Sequence, residues 1–515
     1  MAAIIGALFE NYIVIDNAQL TIFNFLISID MAQKKVVNFT DENIRKIFGS
    51  YDGEGENIDR LKEYYFKTET YSKIISDLPI KILVGHKGIG KSALFRIAMS
   101  EQKDSGNLPI LIKPDDIGEI GEKHESLILS IRKWKFGLTD IIAKKVLSEF
   151  GIIDEGITAR IIKVGGRIIP LITKSVIQQK DNSDITQSQK LLIEKFLTSN
   201  KIDVYLDDLD RGWQNRKEGL IMISALINSI RDLSSENPGL IFKLALRSDV
   251  FNAVRIEDES SDKYEGGVVW HSYELHEIFV MLIKRLLTFW GESINEENLL
   301  KTSQRHIAFN LDSIFENTFF GTGKWEKAPM YKVILSLIRN RPRDLVKLCT
   351  MAARQAYRVN STIIKSSHIL SILPDYSKSI IKDTIAEYKS ELPQIERLIY
   401  GMKPSKKERF AVDSFVFSTS ELHKKIFNIT QRGQFIFANG KVGDAHDISR
   451  FLYKINFLTA RKTLEDGTIE RKSYEHDSNL SSSYMDFGYD WEVHLAYRWD
   501  LQADSLIDIF SKHKL

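Results

Sequence analysis

Residues 85–92 read Gly85-His86-Lys87-Gly88-Ile89-Gly90-Lys91-Ser92, and their reading decides the fold. They fit G-x-x-x-x-G-K-[ST], the pattern of a loop that wraps phosphate. Before them runs Pro79-Ile80-Lys81-Ile82-Leu83-Val84, short, apolar and β-branched, as a buried parallel strand should be. After them runs Ala93-Leu94-Phe95-Arg96-Ile97-Ala98-Met99, which predicts a helix. A triphosphate is a dense anion, and the residue types here suit it. Gly85, Gly88 and Gly90 let the backbone curl its N–H groups toward phosphate. A helix starting near Lys91 adds the positive end of its dipole. Lys91 is expected to reach the β- and γ-phosphates, and Ser92 to offer its hydroxyl to Mg²⁺. His86, Lys87, Ile89 and Ala93 complete the stretch expected to line the nucleotide, although Lys87 could equally point to water. A glycine-rich surface turn has no need of the flanking strand and helix.

A second signal lies further on. Ile202-Asp203-Val204-Tyr205-Leu206 predicts a strand ending in Asp207-Asp208-Leu209-Asp210-Arg211. A carboxylate at the end of a buried strand can hold the hydration shell of Mg²⁺, and the next can orient or deprotonate an attacking water. Asp207 is assigned to the metal and Asp208 to the water; a solvated acidic turn is the plain alternative. A third strand, Gly239–Leu246, ends in Arg247-Ser248-Asp249. Arg247 fits a γ-phosphate sensor, or else a salt bridge to Asp249 or Asp210. Pro109–Lys113 adds a further strand. Alternating strands and helices imply an α/β fold with a parallel sheet and the nucleotide at the strands' carboxyl ends.

Composition bounds the rest. At 515 residues the chain is long enough for about three or four units. Apolar content of 43% and charged content of 27% are ordinary for a globular protein, and a net charge of +2 gives no global pull toward nucleic acid or membrane. The single cysteine, Cys349, excludes an internal disulfide framework or cysteine-based zinc site and fits a reducing cytoplasm. It reads as a buried structural thiol. Residues 1–30 are apolar but interrupted by Glu10, Asp16 and Asp30. They lack the pattern of a signal peptide or a spanning helix. They read as a start-site artefact or a poorly packed extension, with a real strand-forming arm the alternative and Met31 a natural start.

Residues 31–78 predict a helical segment whose Tyr64, Tyr65, Phe66 and Tyr71 pack on the core. The core spans 79–290, with a helical insertion over 115–200. Within it, Ile131-Arg132-Lys133-Trp134-Lys135-Phe136 interleaves basic and aromatic residues, a pattern shared by nucleic-acid binders and by helices with one packed face. Trp270, Leu275, Ile283 and Leu286-Leu287 read as one long helix with Lys284-Arg285 on its exposed side. A helical lid is expected over 291–375. In it, Asn340-Arg341-Pro342-Arg343-Asp344 places an arginine at a helix start; Arg343 is the first choice to reach back to the nucleotide and Arg341 the second, with a local pair to Asp344 the alternative. Over 376–515, Ser418-Thr419-Ser420-Glu421 opens a helix with a capping box, and 444–455 is a second helix. Asp466-Gly467 then turns a hairpin. That order is a winged helix. Its Arg461, Lys462, Arg471 and Lys472 could lie on DNA phosphates, or the unit could be a packing module.

Taken together, Gly85–Ser92, Val204–Arg211, Leu246–Asp249 and Arg341–Asp344 resemble the bacterial STAND-like and KAP-like P-loop ATPases of the wider AAA+/ASCE group, some of them linked to anti-phage defence. The resemblance covers roughly 78–350 well and 376–515 by architecture only. It implies a Mg²⁺-dependent ATPase, cytoplasmic, that binds ATP and ADP and switches conformation or oligomerises. It also implies a homo-oligomer, or a partner protein that senses or kills, because no repeat sensor and no effector domain is recognisable here. The second reading is an ATP-gated DNA-binding regulator or loader, and a third, ranked low, is a degenerate scaffold. The motifs do not separate ATP from GTP.

Overall fold

The computed structural model describes residues 36–502, except for 51–54, 106, 118–119, 121–125, 153–167, 180–184, 212–216, 258–260, 322–324, 406–413, 476, 478–479 and 481–487. The reading of residues 1–30 therefore lies outside the described residues.

The strand ahead of the phosphate loop is β1, Ile80–Gly85. Ile82 and Val84 enter one apolar core and Leu83 another, so both faces of the strand are buried, as in a parallel sheet covered by helices. Each such side chain contributes about 1.5–3 kcal/mol on burial. With β2 (Leu108–Ile112), β3 (Ile202–Leu206), β4 (Leu240–Arg247) and β5 (Val268–Trp270), it forms a sheet of order β2-β3-β4-β1-β5. Every pairing in it is parallel. One strand, β4, thus separates the phosphate-loop strand from the acidic strand, and Gly85 stands in register with Arg247.

Helices cover both faces. Among the described residues, α1 (Asp41–Phe48), α2 (Ile58–Tyr64) and α3 (Glu69–Ile75) precede β1, and α4 (Lys91–Asp104) follows it. Tyr64, Tyr65 and Tyr71 pack with Leu94 and Phe95 of α4 on one sheet face. The expected insertion is helical: α5 (Leu127–Glu149), α6 (Ile168–Gln179) and α7 (Gln187–Ser199). In α5 Trp134 is buried while Arg132, Lys133 and Phe136 are exposed, the pattern of a helix with one packed face. With α8 (Lys217–Glu236) and α9 (Ser248–Glu257) these close the other sheet face.

The stretch after the core departs from expectation. Trp270 ends β5, and α10 spans Leu275–Trp290. Lys284 is buried rather than exposed: its ammonium donates to the Tyr65 carbonyl at 2.5 Å and to Glu296 at 2.5 Å. Arg285 turns inward too, donating to the Phe48 carbonyl with its guanidinium over the Tyr64 ring. Helix α10 is apolar nearly all round and sits inside the largest core. Its cations are therefore neutralised internally rather than by water.

Beyond it come α11 (Met330–Ser336), α12 (Pro342–Arg358), α13 (Ser366–Tyr388) and α14 (Ile395–Gly401). Proline opens α12 at its first position, where its missing N–H costs nothing. Helix α13 runs unbroken through residue 375, where a boundary between units was expected. Cys349 is buried in α12, and burial pushes its thiol pKa up. The C-terminal elements are β6 (Val416–Phe417), α15 (Thr419–Thr430), α16 (Ala445–Lys454), β7 (Leu458–Thr463), β8 (Ile469–Lys472) and β9 (Asp490–Val493). Ser418 and Glu421 form the capping box, and Gly467 takes φ +77° at the β7–β8 turn. One continuous apolar core joins α1, α10 to α13 and these C-terminal elements.

Candidate functional site

The loop between β1 and α4 turns on two glycines. Gly88 has φ +80° and Gly90 φ +107°, a region that a Cβ makes costly. Gly85 is ordinary in φ but tight: a Cβ there would lie 2.9 Å from Ile89 and 3.0 Å from the His271 carbonyl. Gly90 caps α4 without any side-chain bond to the helix's first N–H groups. Those groups are the donors that bind anions at helix starts. Lys91, the first residue of α4, folds back so that its ammonium donates to the carbonyls of Gly85 (2.8 Å) and His86 (3.2 Å). Burial lowers its pKa, while Asp210 and Asp207 pull it back up.

Strand β3 delivers the carboxylates. The Asp207 N–H donates to the Ile112 carbonyl at 3.1 Å, extending the β2–β3 ladder by one residue, and its buried carboxylate accepts the Asp208 N–H at 3.0 Å. Asp208 adopts φ +60°, a strain of about 1–3 kcal/mol for a residue other than glycine. Its carboxylate lies 3.4 Å from Arg211. Asp210 accepts the Arg247 N–H at 2.6 Å, and burial raises its pKa.

These groups share one cavity of about 550 Å³, within the range of about 300–1,000 Å³ usual for small-molecule sites. Lys87 to Ala93, Asp207, Asp208 and Arg247 line it, together with Leu61, Tyr64, Tyr65 and Phe66. Lys91, Ser92, Asp207 and Asp208 are thus brought together from two distant stretches of sequence. Gly85, His86 and Arg341 are not among the described lining residues.

The three arginines and the histidine differ in what holds them. Arg247 lines the cavity, but its guanidinium donates to both oxygens of Asp249 (3.1 and 2.7 Å) and to the Glu387 carbonyl. Arg343 lines the cavity from α12, its stem against Gly88, and its buried Nε has no hydrogen-bond partner among the described residues. Arg341, buried behind the loop, donates to Glu387 at 2.7 Å and to the Lys87 carbonyl at 3.2 Å. His86 turns away from the cavity. Its Nδ1 lies 2.8 Å from the Tyr388 hydroxyl and 3.1 Å from that of Ser248, and its Nε2 lies 2.7 Å from Glu475.

Sequence reasoning missed Glu387, Tyr388 and Glu475. Glu387 accepts the backbone N–H of Lys87 at 3.1 Å as well as the Arg341 guanidinium. Burial opposes its charge, yet Arg341 holds its pKa down to about 2. Nothing in its local sequence marks it, because its role arises only where the end of α13 meets the loop.

The C-terminal hairpin is less open than its sequence promised. Arg471 donates to Glu492 at 2.7 Å, Arg461 lies 3.9 Å from the same carboxylate, and Lys472 lies 3.5 Å from Asp477. Among the described residues no helix is long and apolar enough to cross a membrane.

No protein-family model matches the chain. It is similar to the putative transposon gamma-delta 80.3 kDa protein of Escherichia coli (strain K12), at 21% identity over 379 residues, covering 65% of this chain and 51% of that protein. The chain thus spans about half the length of the curated relative it matches. Among solved structures, it is similar to the Walker-type ATPase paby2304 of Pyrococcus abyssi (TM-score 0.39, 13% identity, 80% of this chain and 94% of that one). It is also similar to the Aeropyrum pernix ORC2 protein in ADPNP–ADP complexes (TM-score 0.38, 12% identity, 82% and 86%). A third is the Aeropyrum pernix ORC1 protein in complex with DNA (TM-score 0.31, 13% identity, 86% and 90%). These likenesses are remote.

Proposed function

We propose that the protein is a Mg²⁺-dependent P-loop ATPase whose nucleotide state sets its conformation or assembly. One observation carries the reading. Lys91 and Ser92 at the head of α4 share a single cavity with Asp207 and Asp208 at the end of β3. An acidic turn or a glycine turn alone would have no reason to meet the other.

The residues fit the groups they would hold. The uncapped start of α4, the loop's glycines and Lys91 suit a polyphosphate, and the unpartnered Nε of Arg343 offers a further donor beside it. Ser92 and Asp207 would hold Mg²⁺, which when bound supplies positive charge to the phosphates. Asp208 would orient or deprotonate the attacking water. Lys91 gives up its two loop carbonyls to reach phosphate. Arg343 is the better candidate for a lid arginine, as Arg341 is already committed to Glu387. Arg247 can serve as a sensor only by leaving Asp249.

The switch reading draws on the contacts between loop and C-terminal half. We read α15, α16 and the β7–β8 hairpin as a winged-helix-like module that holds the resting state through Glu475, with 291–375 as the lid. The alternative of an ATP-gated DNA-binding regulator or loader is weaker, because Arg461 and Arg471 are directed at Glu492. Phosphate release from ATP by the wild-type chain, set against Lys91→Ala and Asp208→Asn, tests the activity. Equal release by all three would end the proposal. Molecular mass measured with ADP and then with a non-hydrolysable ATP analogue tests the assembly.

A further inference from the structure

A second cavity, of about 380 Å³, lies between α11 on one side and the β7–β8 hairpin with the segment after β9 on the other. It shares no lining residue with the nucleotide cavity. Its walls combine apolar surface (Leu335, Ile338, Ile469) with an excess of basic groups. Arg339, Lys332, Arg471, Lys472 and Arg498 line it, against Glu492 as the sole carboxylate among the described lining residues. Arg339 is neutralised by its paired bonds to Asp344 at 2.7 and 3.0 Å, and Lys472 lies 3.5 Å from Asp477. Lys332, Arg471 and Arg498 are the other cations of the lining, and Arg471 and Arg498 both bond Glu492.

Arg498 donates to one oxygen of Glu492 at 2.7 Å and Arg471 to the other at 2.7 Å. A third guanidinium, Arg461, reaches to 3.9 Å, and its buried Nε has no hydrogen-bond partner among the described residues. Arginines do not shed their charge in proteins. Gathering three of them around one carboxylate leaves positive potential that favours an anion. His494 adds a neutral donor. Its Nδ1 accepts the Ala496 N–H at 3.2 Å, which leaves the proton on Nε2.

We propose that this cavity is a binding site for a small organic anion, a molecule with an apolar body and a phosphate, carboxylate or sulfonate head. The volume suits a compact ligand, the apolar wall suits its body, and Lys332, Arg471 and Arg498 suit its head. The site also touches the loop network. Asn456 lines the cavity, and its amide donates to Glu475 at 2.6 Å, the same carboxylate that lies 2.7 Å from His86. Any occupant is therefore separated from the phosphate loop by Asn456, Glu475 and His86. This last link rests on the nucleotide reading; the site itself does not.

The probe is 1-anilinonaphthalene-8-sulfonate, an aromatic body with one sulfonate, titrated into the full chain and read by fluorescence. We expect one saturable site, displaced by phenyl phosphate or by benzoate, with affinity at least ~10-fold lower in Lys332→Glu/Arg471→Glu. Lys332→Glu alone, at an exposed side chain, should lose several-fold with an unchanged thermal midpoint, which guards against misfolding of the double variant. Lys91→Ala should bind the probe as wild type does, which separates this site from the nucleotide cavity. Unsaturable binding, unchanged affinity in both charge-reversal variants, or loss in Lys91→Ala would each overturn the proposal. Displacement by a short DNA duplex in place of the small anions would also overturn it and assign the basic wall to nucleic acid.

Discussion

His86 of the phosphate loop and Glu475 beyond the C-terminal hairpin are in direct contact, Nε2 to carboxylate oxygen, at 2.7 Å. Glu475 also accepts the Asn456 amide at 2.6 Å. The loop expected to grip nucleotide is thus tied at its second residue to the far end of the chain, and the tie can respond to pH. Burial opposes the Glu475 charge, yet His86 holds its pKa down to about 2, against an ordinary 4.5. A depressed value means a contribution to stability that is complete above about pH 4.5 and fades as pH falls toward 2. Glu387 sits at about 2 for a like reason, with Arg341 in place of His86. Acid titration of the thermal midpoint should therefore show a steep fall between pH 4.5 and 2 that is shallower in Glu475→Gln. Equal slopes in the two proteins would show that the carboxylate's charge contributes nothing there.

Removing the tie should also free the loop. A hydrogen bond to a charged group is worth about 1.5–3 kcal/mol, so Glu475→Gln should lower stability by roughly that amount. Release of a fluorescent ADP analogue, followed by stopped flow, should be several-fold faster in the variant. Unchanged release would mean that the contact anchors the C-terminal half without governing the nucleotide.

Lys91→Ala separates binding from folding. The ammonium is half-buried and, among the described residues, bonds loop carbonyls, so its loss should move the thermal midpoint of the nucleotide-free protein little. In the wild type, ligand at 100 times its dissociation constant stabilises by about 2.7 kcal/mol. The variant should lose most of that shift, with ATP affinity down at least ~10-fold. Asp208→Asn should keep the shift and lose about 10²–10⁴-fold in turnover. Phosphate release measured beside thermal denaturation distinguishes the two outcomes.

The parallel sheet was legible because its signals are local. An apolar run buried on both faces ends in a glycine loop at β1 or in an acidic turn at β3, and the strand periods of β2 and β4 are equally plain. The capping box at Ser418 and the Asp466-Gly467 turn were readable for the same reason. What escaped was everything decided by the meeting of distant segments. Strand β5 is only three residues long, too short for its period to stand out, so Trp270 was read into the following helix. Lys284 and Arg285 have the composition of a solvated face, yet Glu296 and the carbonyls of Tyr65 and Phe48 are what meet them. Glu387 and Glu475 have no motif at all. Charge on the hairpin was visible, but its compensation by Glu492 was not, since register brings Glu492 beside Thr459 only after β9 has crossed back.

The buried pair of Arg341 and Glu387, 2.7 Å apart with both side chains 3% exposed, offers a sharper energetic test. Breaking such a pair on one side strands a charge and costs about 3–5 kcal/mol, whereas replacing both partners with apolar groups is often close to neutral. Arg341→Met and Glu387→Leu should each destabilise by that amount, and the double variant by far less than their sum. Urea unfolding of all four proteins completes the cycle. Additive losses would mean that each residue is held by other neighbours and that the pair is not a unit.

Gly88→Ala probes the contact between the loop and α12. The glycine sits at φ +80°, and an added Cβ would come within 2.9 Å of the Arg343 Cδ and 3.1 Å of its Cβ. Two costs follow. The left-handed backbone strains an alanine by about 1–2 kcal/mol, and the Arg343 stem must shift away from the loop. If Arg343 reaches the nucleotide from that position, the variant should bind ATP more weakly than its loss of stability alone explains. Arg343→Ala should then weaken ATP binding by a similar factor without the backbone penalty, and combining the two should add little further loss. Calorimetric titration of ATP into the single and double variants supplies the comparison. Independent, fully additive effects would place Arg343 outside nucleotide binding and leave Gly88 as a purely conformational requirement of the loop.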